Sequence, residues 1–154
     1  MNLHILWLVL IAQAIHVILE ENPRFVEWAR GYNPDFSRKQ FLLGNGVIGG
    51  YIVFSILLAV FLPGKWTLAL GLSTASYIVF NFLYHAATTL ASGVYSPGVV
   101  TGGGINVPVA LYVYLHFYNA GAVGVFTAGV SVFLGFLPMI LILKNIGMKP
   151  HHHA

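Results

Sequence analysis

Residues 3–21 read LHILWLVLIAQAIHVILEE, and the reading of this stretch decides the fold. It has the length of one bilayer crossing, about 20 predominantly apolar residues. It also carries Gln13, His16 and Glu20 at offsets of 0, 3 and 7, which an α-helix brings to one face. An apolar helix with one polar stripe suits a membrane bundle, because a polar group inside hydrocarbon must find protein or water. The rest of the chain agrees. Of 154 residues, 58 % are hydrophobic and 7 % charged, and the mean hydropathy is +0.81. A soluble domain carries roughly 25 % charged residues, so this chain is too poor in charge to cover itself in water.

The first stretch reads as a retained helix rather than a signal peptide, since Met1 leads almost directly into apolar sequence without a basic region or a small-residue cleavage site. Working outward from it, the expected fold is all-α: a polytopic membrane bundle of five transmembrane helices. They are expected at about 3–21, 38–62, 65–92, 98–119 and 122–143, in one domain over 1–148 with a tail at 149–154. Residues 23–37 mix Arg24, Glu27, Trp28, Arg30 and Asp35, which reads as an interfacial segment with Trp28 as its anchor. Ser37 and Gln40 have capping-box spacing and should open the second helix. Gly46 and Gly50 are either a close-packing pair or glycines merely tolerated in a membrane helix.

Charge excludes some functions and orients the chain. The formal net charge of +3 sits between or after apolar runs, not on a soluble face, so no nucleic-acid partner is expected. With no cysteine there is no disulfide, thiol catalysis or iron–sulfur ligation. Gly102-Gly103-Gly104 lacks the Lys-Ser or Lys-Thr of a phosphate loop and reads as a flexible or closely packed helix start. With the N-terminus outside, the 22–40 loop and the tail hold Arg24, Arg30, Arg38, Lys39, Lys144 and Lys149, leaving Lys65 alone of the seven on the other side. The positive-inside rule therefore predicts N-out, C-in. His151–His153 read as a solvated tail or tag remnant.

In that topology polar groups from four segments fall in one layer. The first helix brings His16 and Glu20, the second Asn45, the third Asn81 and His85, and the turn into the fourth Tyr95, Ser96, Thr101 and Asn106; Gln13 shares the face of the first helix, and Thr74, Tyr77, Tyr84 and Thr88 the stripe of the third. His16 with Glu20, and Asn81 with His85, are four apart and can meet on their helices. His16, Glu20, Asn81, His85 and Tyr95 are the candidate catalytic residues; Gln13, Asn45, Tyr77, Tyr84, Thr88 and Asn106 are candidates for binding substrate. His16, Glu20 and His85 could also hold a single divalent metal such as zinc, with His116 a second-rank ligand about three turns further along helix four.

These residues resemble those of a family. His16 with Glu20-Glu21, Asn81-xxx-His85 and Tyr95-Ser96-Pro97-Gly98 are similar to the HXXEE-domain family of small, uncharacterised bacterial integral membrane proteins, over roughly residues 10–140. The family name describes His with Glu three and four positions later. Here Leu19 occupies the third position, Glu20 the fourth and Glu21 lies one beyond. The resemblance implies a membrane bundle, in a bacterial inner membrane, and supports a site at these residues, without implying a reaction.

A carboxyl and an imidazole enclosed in apolar surroundings can exchange protons near neutral pH. The expectation is an enzyme acting on a lipophilic small molecule by acid–base chemistry of isomerase, cyclase or epoxide-opening type, with or without a metal. The alternative is a small transporter, proton relay or membrane subunit of a larger complex, since intramembrane His and Glu also mark ion pathways. The bilayer is the expected partner, and a homo-oligomer would be compatible.

Overall fold

A computed structural model of the chain describes residues 2–146; the His151–His153 run lies outside the described residues. Every regular element among them is helical. The first crossing is a 3₁₀ turn (Leu3–Leu6), α1 (Trp7–His16) and a π turn (Val17–Glu21), followed directly by α2 (Asn22–Arg30). Next come α3 (Arg38–Phe61) and α4 (Lys65–Ser92). The fourth crossing is composite: α5 (Val99–Thr101), a second π turn (Gly102–Asn106) and α6 (Val107–Asn119). The last is α7 (Val125–Ile146). Five runs are long and apolar enough to span a bilayer: Leu3–Glu21, Arg38–Phe61, Lys65–Ser92, Val99–Asn119 and Val125–Lys144.

Local chemistry sets the ends. Ser37 Oγ accepts from Gln40 N at 3.2 Å while Gln40 Oε1 accepts from Ser37 N at 2.8 Å, the reciprocal box expected there. α4 ends on Gly93 at φ 69°. α6 ends on Gly121 at φ 68°, with Gly121 N donating to Tyr118 O and Ala122 N to Phe117 O, a Schellman closure. That closure occupies residues 120–122, so the last helix starts at Val125 rather than 122.

α4 is the axis of the bundle. In it 61 % of the most apolar window is buried, against 22–33 % in the other four spans. Small residues make this possible. A Cβ added at Gly135 of α7 would lie 2.5 Å from Ser73 O and 2.6 Å from Ser76 Cβ, so the backbones of α4 and α7 touch there. A Cβ at Gly71 would instead meet side chains, Leu6 Cδ1 at 2.8 Å and Ala59 Cβ at 3.0 Å. A Cβ at Gly46 or Gly50 would meet nothing within 4 Å, so among the described residues neither makes a close approach.

The packing is inside-out relative to a soluble protein. Ser55, Ser73, Thr74, Ser131 and Asn106 are fully buried, whereas Ile11, Ile18, Phe54, Leu111, Phe133 and Leu141 are exposed. Several of the buried polar groups pair across helices: the Tyr114 hydroxyl meets Ser76 Oγ of α4 and Ser131 Oγ of α7, each at 2.6 Å. Hydrocarbon suits such a surface, and interhelical hydrogen bonds suit such an interior.

Candidate active site

The site lies where the end of the first crossing meets the last turns of α4 and the start of the fourth crossing. Its geometry begins with the π turn at Val17–Glu21, in which Asn22 N bonds back to Val17 O, five residues earlier. In a π turn a residue five positions on takes the place that a residue four positions on has in an α turn. Glu21, not Glu20, therefore comes to lie over His16.

Glu21 Oε1 sits 3.2 Å from His16 Nε2 and 3.0 Å from His85 Nε2. The three residues are 5 %, 0 % and 1 % exposed, and the two imidazole centroids are 5.7 Å apart. One buried carboxylate thus bridges two buried imidazoles from different helices, and the three ligand-capable atoms lie within 4.8 Å of one another.

Glu20 points elsewhere. It accepts from Val100 N (3.2 Å), Thr101 N (2.7 Å), Thr101 Oγ1 (2.5 Å) and the Tyr95 hydroxyl. These include two of the free N–H groups where the fourth crossing begins, groups no intrahelical carbonyl can satisfy. Thr101 Oγ1 is also 2.8 Å from His16 Nδ1, so Glu20 reaches His16 only through Thr101. On the other ring, His85 Nδ1 lies 2.8 Å from Ser96 Oγ, and Ser96 N donates to Thr89 Oγ1.

A cleft runs from this centre, lined by Glu21, His85, Asn81, Tyr77, Tyr84 and Asn45 with apolar Phe25, Phe41, Ile48 and Met139. Its cavity volume is about 60 Å³, and it is partly open to the outside. It is a narrow slot. Gly44, Ile48 and Ile142 also line a shallower groove between α3 and α7 with Leu43, Val47, Leu141 and Lys144, so the slot continues toward the outer, apolar face of the bundle.

α2 closes the end of the slot. Phe25, Trp28 and Ala29 are buried while Arg24, Glu27 and Arg30 are exposed, the i, i+3, i+4 pattern of an amphipathic helix. Phe25 and Trp28 stand 5.9 and 6.4 Å from the His85 ring. Trp28, expected as a headgroup anchor, is turned inward onto Tyr84 and His85, because the site offers it more apolar surface than the interface does.

The structure sorts the residues expected from sequence. His16 and His85 meet at the centre. Asn81 and Tyr77 line the slot and bond each other, Nδ2 to hydroxyl at 3.3 Å, leaving the buried Asn81 Oδ1 without a partner. Asn45 and Tyr84 also line it, Asn45 donating to Phe41 O. Tyr95 holds Glu20. Gln13 and Asn106 pair with each other at 3.2 Å, away from the slot. Thr88 bonds its own helix at Tyr84 O and His85 O. His116 packs on Phe117 and does not join the centre; the fourth crossing starts at Val99, which leaves it far along α6. Glu20, expected as a third donor beside the two histidines, is replaced in that place by Glu21 for the helical reason above. Thr101 and Ser96, expected in the polar layer but without a catalytic or binding role, hold the two imidazoles. The signal for Glu21 was the extra residue between His16 and the paired carboxylates.

A family model described as "Protein of unknown function with HXXEE motif" matches residues 7–113. No curated protein and no solved structure matches.

Proposed function

The chain belongs to the HXXEE family, and we propose that its motif residues form the reactive centre of a membrane-embedded enzyme acting on the polar end of a lipophilic small molecule. The observation that carries the reading is Glu21, buried between His16 and His85 at the closed end of a slot. A carboxyl and two imidazoles within hydrogen-bond distance can give and take a proton without leaving their rotamers, the requirement for general acid–base catalysis. Of the three, Glu21 and His85 line the slot and are the groups that touch substrate; His16 stands behind them. The unpartnered Asn81 Oδ1 would accept from a substrate hydroxyl. Isomerisation, cyclisation and epoxide opening fit such a centre, and the α3–α7 groove suits an apolar tail arriving from lipid.

By the distribution of Lys and Arg, the reading puts the site in the cytoplasmic half of the membrane with the N-terminus outside; a bacterial inner membrane is part of the proposal. Its test is turnover. The protein in lipid nanodiscs is incubated with a total bacterial lipid extract, and products are followed by liquid chromatography and mass spectrometry. One lipophilic species should change with the wild-type chain, and Glu21→Gln or His85→Gln should slow that change by about 10²-fold or more. Folded variants that turn over at the wild-type rate would remove the reading.

One observation favours a second reading. Glu20, Thr101, His16, Glu21, His85 and Ser96 form one unbroken polar chain, the material of a proton relay. Proton flux into liposomes that disappears with Glu21→Gln, with no lipid product formed, selects it over the enzyme.

A further inference from the structure

Both imidazoles turn the same nitrogen inward, and acid–base chemistry alone does not require that. Each Nδ1 is engaged by a hydroxyl, Thr101 Oγ1 for His16 and Ser96 Oγ for His85, both at 2.8 Å. For His16 the direction of the bond follows from counting protons. Glu20 accepts from two backbone N–H groups and two hydroxyls, an environment that suits a carboxylate. Thr101 has one hydroxyl proton, and it goes to Glu20. His16 Nδ1 must then be the donor to Thr101, which leaves a lone pair on Nε2. That lone pair faces a carboxylate oxygen at 3.2 Å. Two acceptors at that distance need a positive charge between them: an extra proton or a cation.

We propose that His16 Nε2, Glu21 Oε1 and His85 Nε2 are the protein ligands of one divalent cation, zinc by its donor set, with the fourth position open to the slot. Zinc bonds of about 2.0–2.2 Å at tetrahedral angles hold ligand atoms about 3.3 Å apart. The two distances from Glu21 Oε1 are 3.2 and 3.0 Å, and the third pair lies within 4.8 Å, so small side-chain shifts would admit the ion. Two histidines and one carboxylate with an open position are the donor set of hydrolytic zinc centres. The surroundings fit as well. A metal-ligating histidine donates its other ring N–H to an oriented acceptor, and Thr101 backed by Glu20 is such an acceptor for His16, as Ser96 is for His85. The inference rests on reading this centre as the reactive one; there the cation would polarise a substrate oxygen or a bound water beside Asn81.

The test reads metal, not turnover. The chain is purified in mild detergent through a tag that binds no metal, with His151, His152 and His153 all replaced by alanine so that the tail contributes nothing. Zinc content is measured by elemental mass spectrometry. Cobalt(II) is titrated into chelator-stripped protein and followed by visible absorption. About one equivalent of zinc and a saturable four-coordinate cobalt spectrum are expected. Glu21→Gln and His85→Gln should each lose the ion, Glu20→Gln and Thr101→Val should weaken it about 10–100-fold, and His116→Gln should change nothing. The proposal is overturned if the folded, monodisperse chain holds less than about 0.1 equivalent and gives no saturable cobalt bands. Such a result would assign the positive charge to a proton. Stoichiometric metal that survives the Glu21→Gln, His85→Gln double variant would overturn it equally. If the glutamine variants do not fold, the cobalt titration of the stripped, tail-substituted chain decides. A missing metal leaves the acid–base reading standing; bound metal with turnover indifferent to Glu21 removes that reading and keeps the ion.

Discussion

Gly98 shows how closely single residues are set around the centre. Its φ of 126° lies where residues with side chains rarely go, and a Cβ there would come within 2.6–2.8 Å of three atoms of the His85 ring. The Ser96-Pro97-Gly98 turn therefore holds His85 twice, by the Ser96 hydroxyl and by bare backbone against the ring. Gly98→Ala should cost about 1–3 kcal/mol from the backbone alone and push His85 off Glu21. Melting in detergent and lipid turnover should both fall. Gly93→Ala is the control: its φ of 69° is also left-handed, but nothing lies within 4 Å, so melting should fall and turnover persist. Equal turnover in the two variants would show that the turn does not position His85. Glu20 and Glu21 make the same point. They are adjacent carboxylates, yet one caps a helix start and the other bridges two imidazoles.

At the scale of elements, two π turns frame the centre, Val17–Glu21 and Gly102–Asn106. The first accommodates one residue more than His-x-x-Glu-Glu contains, and the candidate for the surplus is Leu19, which is 64 % exposed. Deleting Leu19 should convert the π turn to an α turn with both carboxylates still in their places. The melting point should then move by no more than about 2–4 °C, the equivalent of ~1 kcal/mol in a chain of this size, and turnover should survive. Inserting an alanine after Leu19 instead adds about 100° of helical rotation and should abolish it. A deletion as damaging as the insertion would mean that the π turn itself, not the placement of Glu21, is what the site needs. In the second π turn, Gly102 and Gly103 lie on Phe82, where an added Cβ would come within 3.1 Å, so the glycine run is a packed helix start.

At the scale of the molecule, the bundle is assembled around α4 and the site sits at one end of it. That end carries exposed Arg24, Arg30, Arg38 and Lys39, with Arg38 donating to Asn22 O (3.2 Å) and Asn22 Oδ1 (2.6 Å) to tie α3 to the base of α2. The positive-inside rule then predicts where the site faces. Alkaline phosphatase fused in the 31–33 turn should be inactive and at Gly64 active, and a fluorescent protein at the C-terminus should fluoresce. The reverse pattern would put the site near the outer surface and change the substrates that can reach it.

Five apolar runs, their ends at Pro63-Gly64 and Gly121, and a polar stripe on the first and third were legible in the sequence because hydropathy, periodicity and turn chemistry are properties of neighbours along the chain. Which carboxylate meets the imidazoles was not. That choice depends on a one-residue change of helical register that leaves hydropathy untouched, and on a partner 64 residues away. The same holds for Trp28, turned inward by rings on α4, for His116, left aside by the start of the fourth crossing, and for the glycines, where contact falls at Gly71 and Gly135 rather than Gly46 and Gly50. Only packing between distant segments decides such matters, because each is settled by what another helix presents.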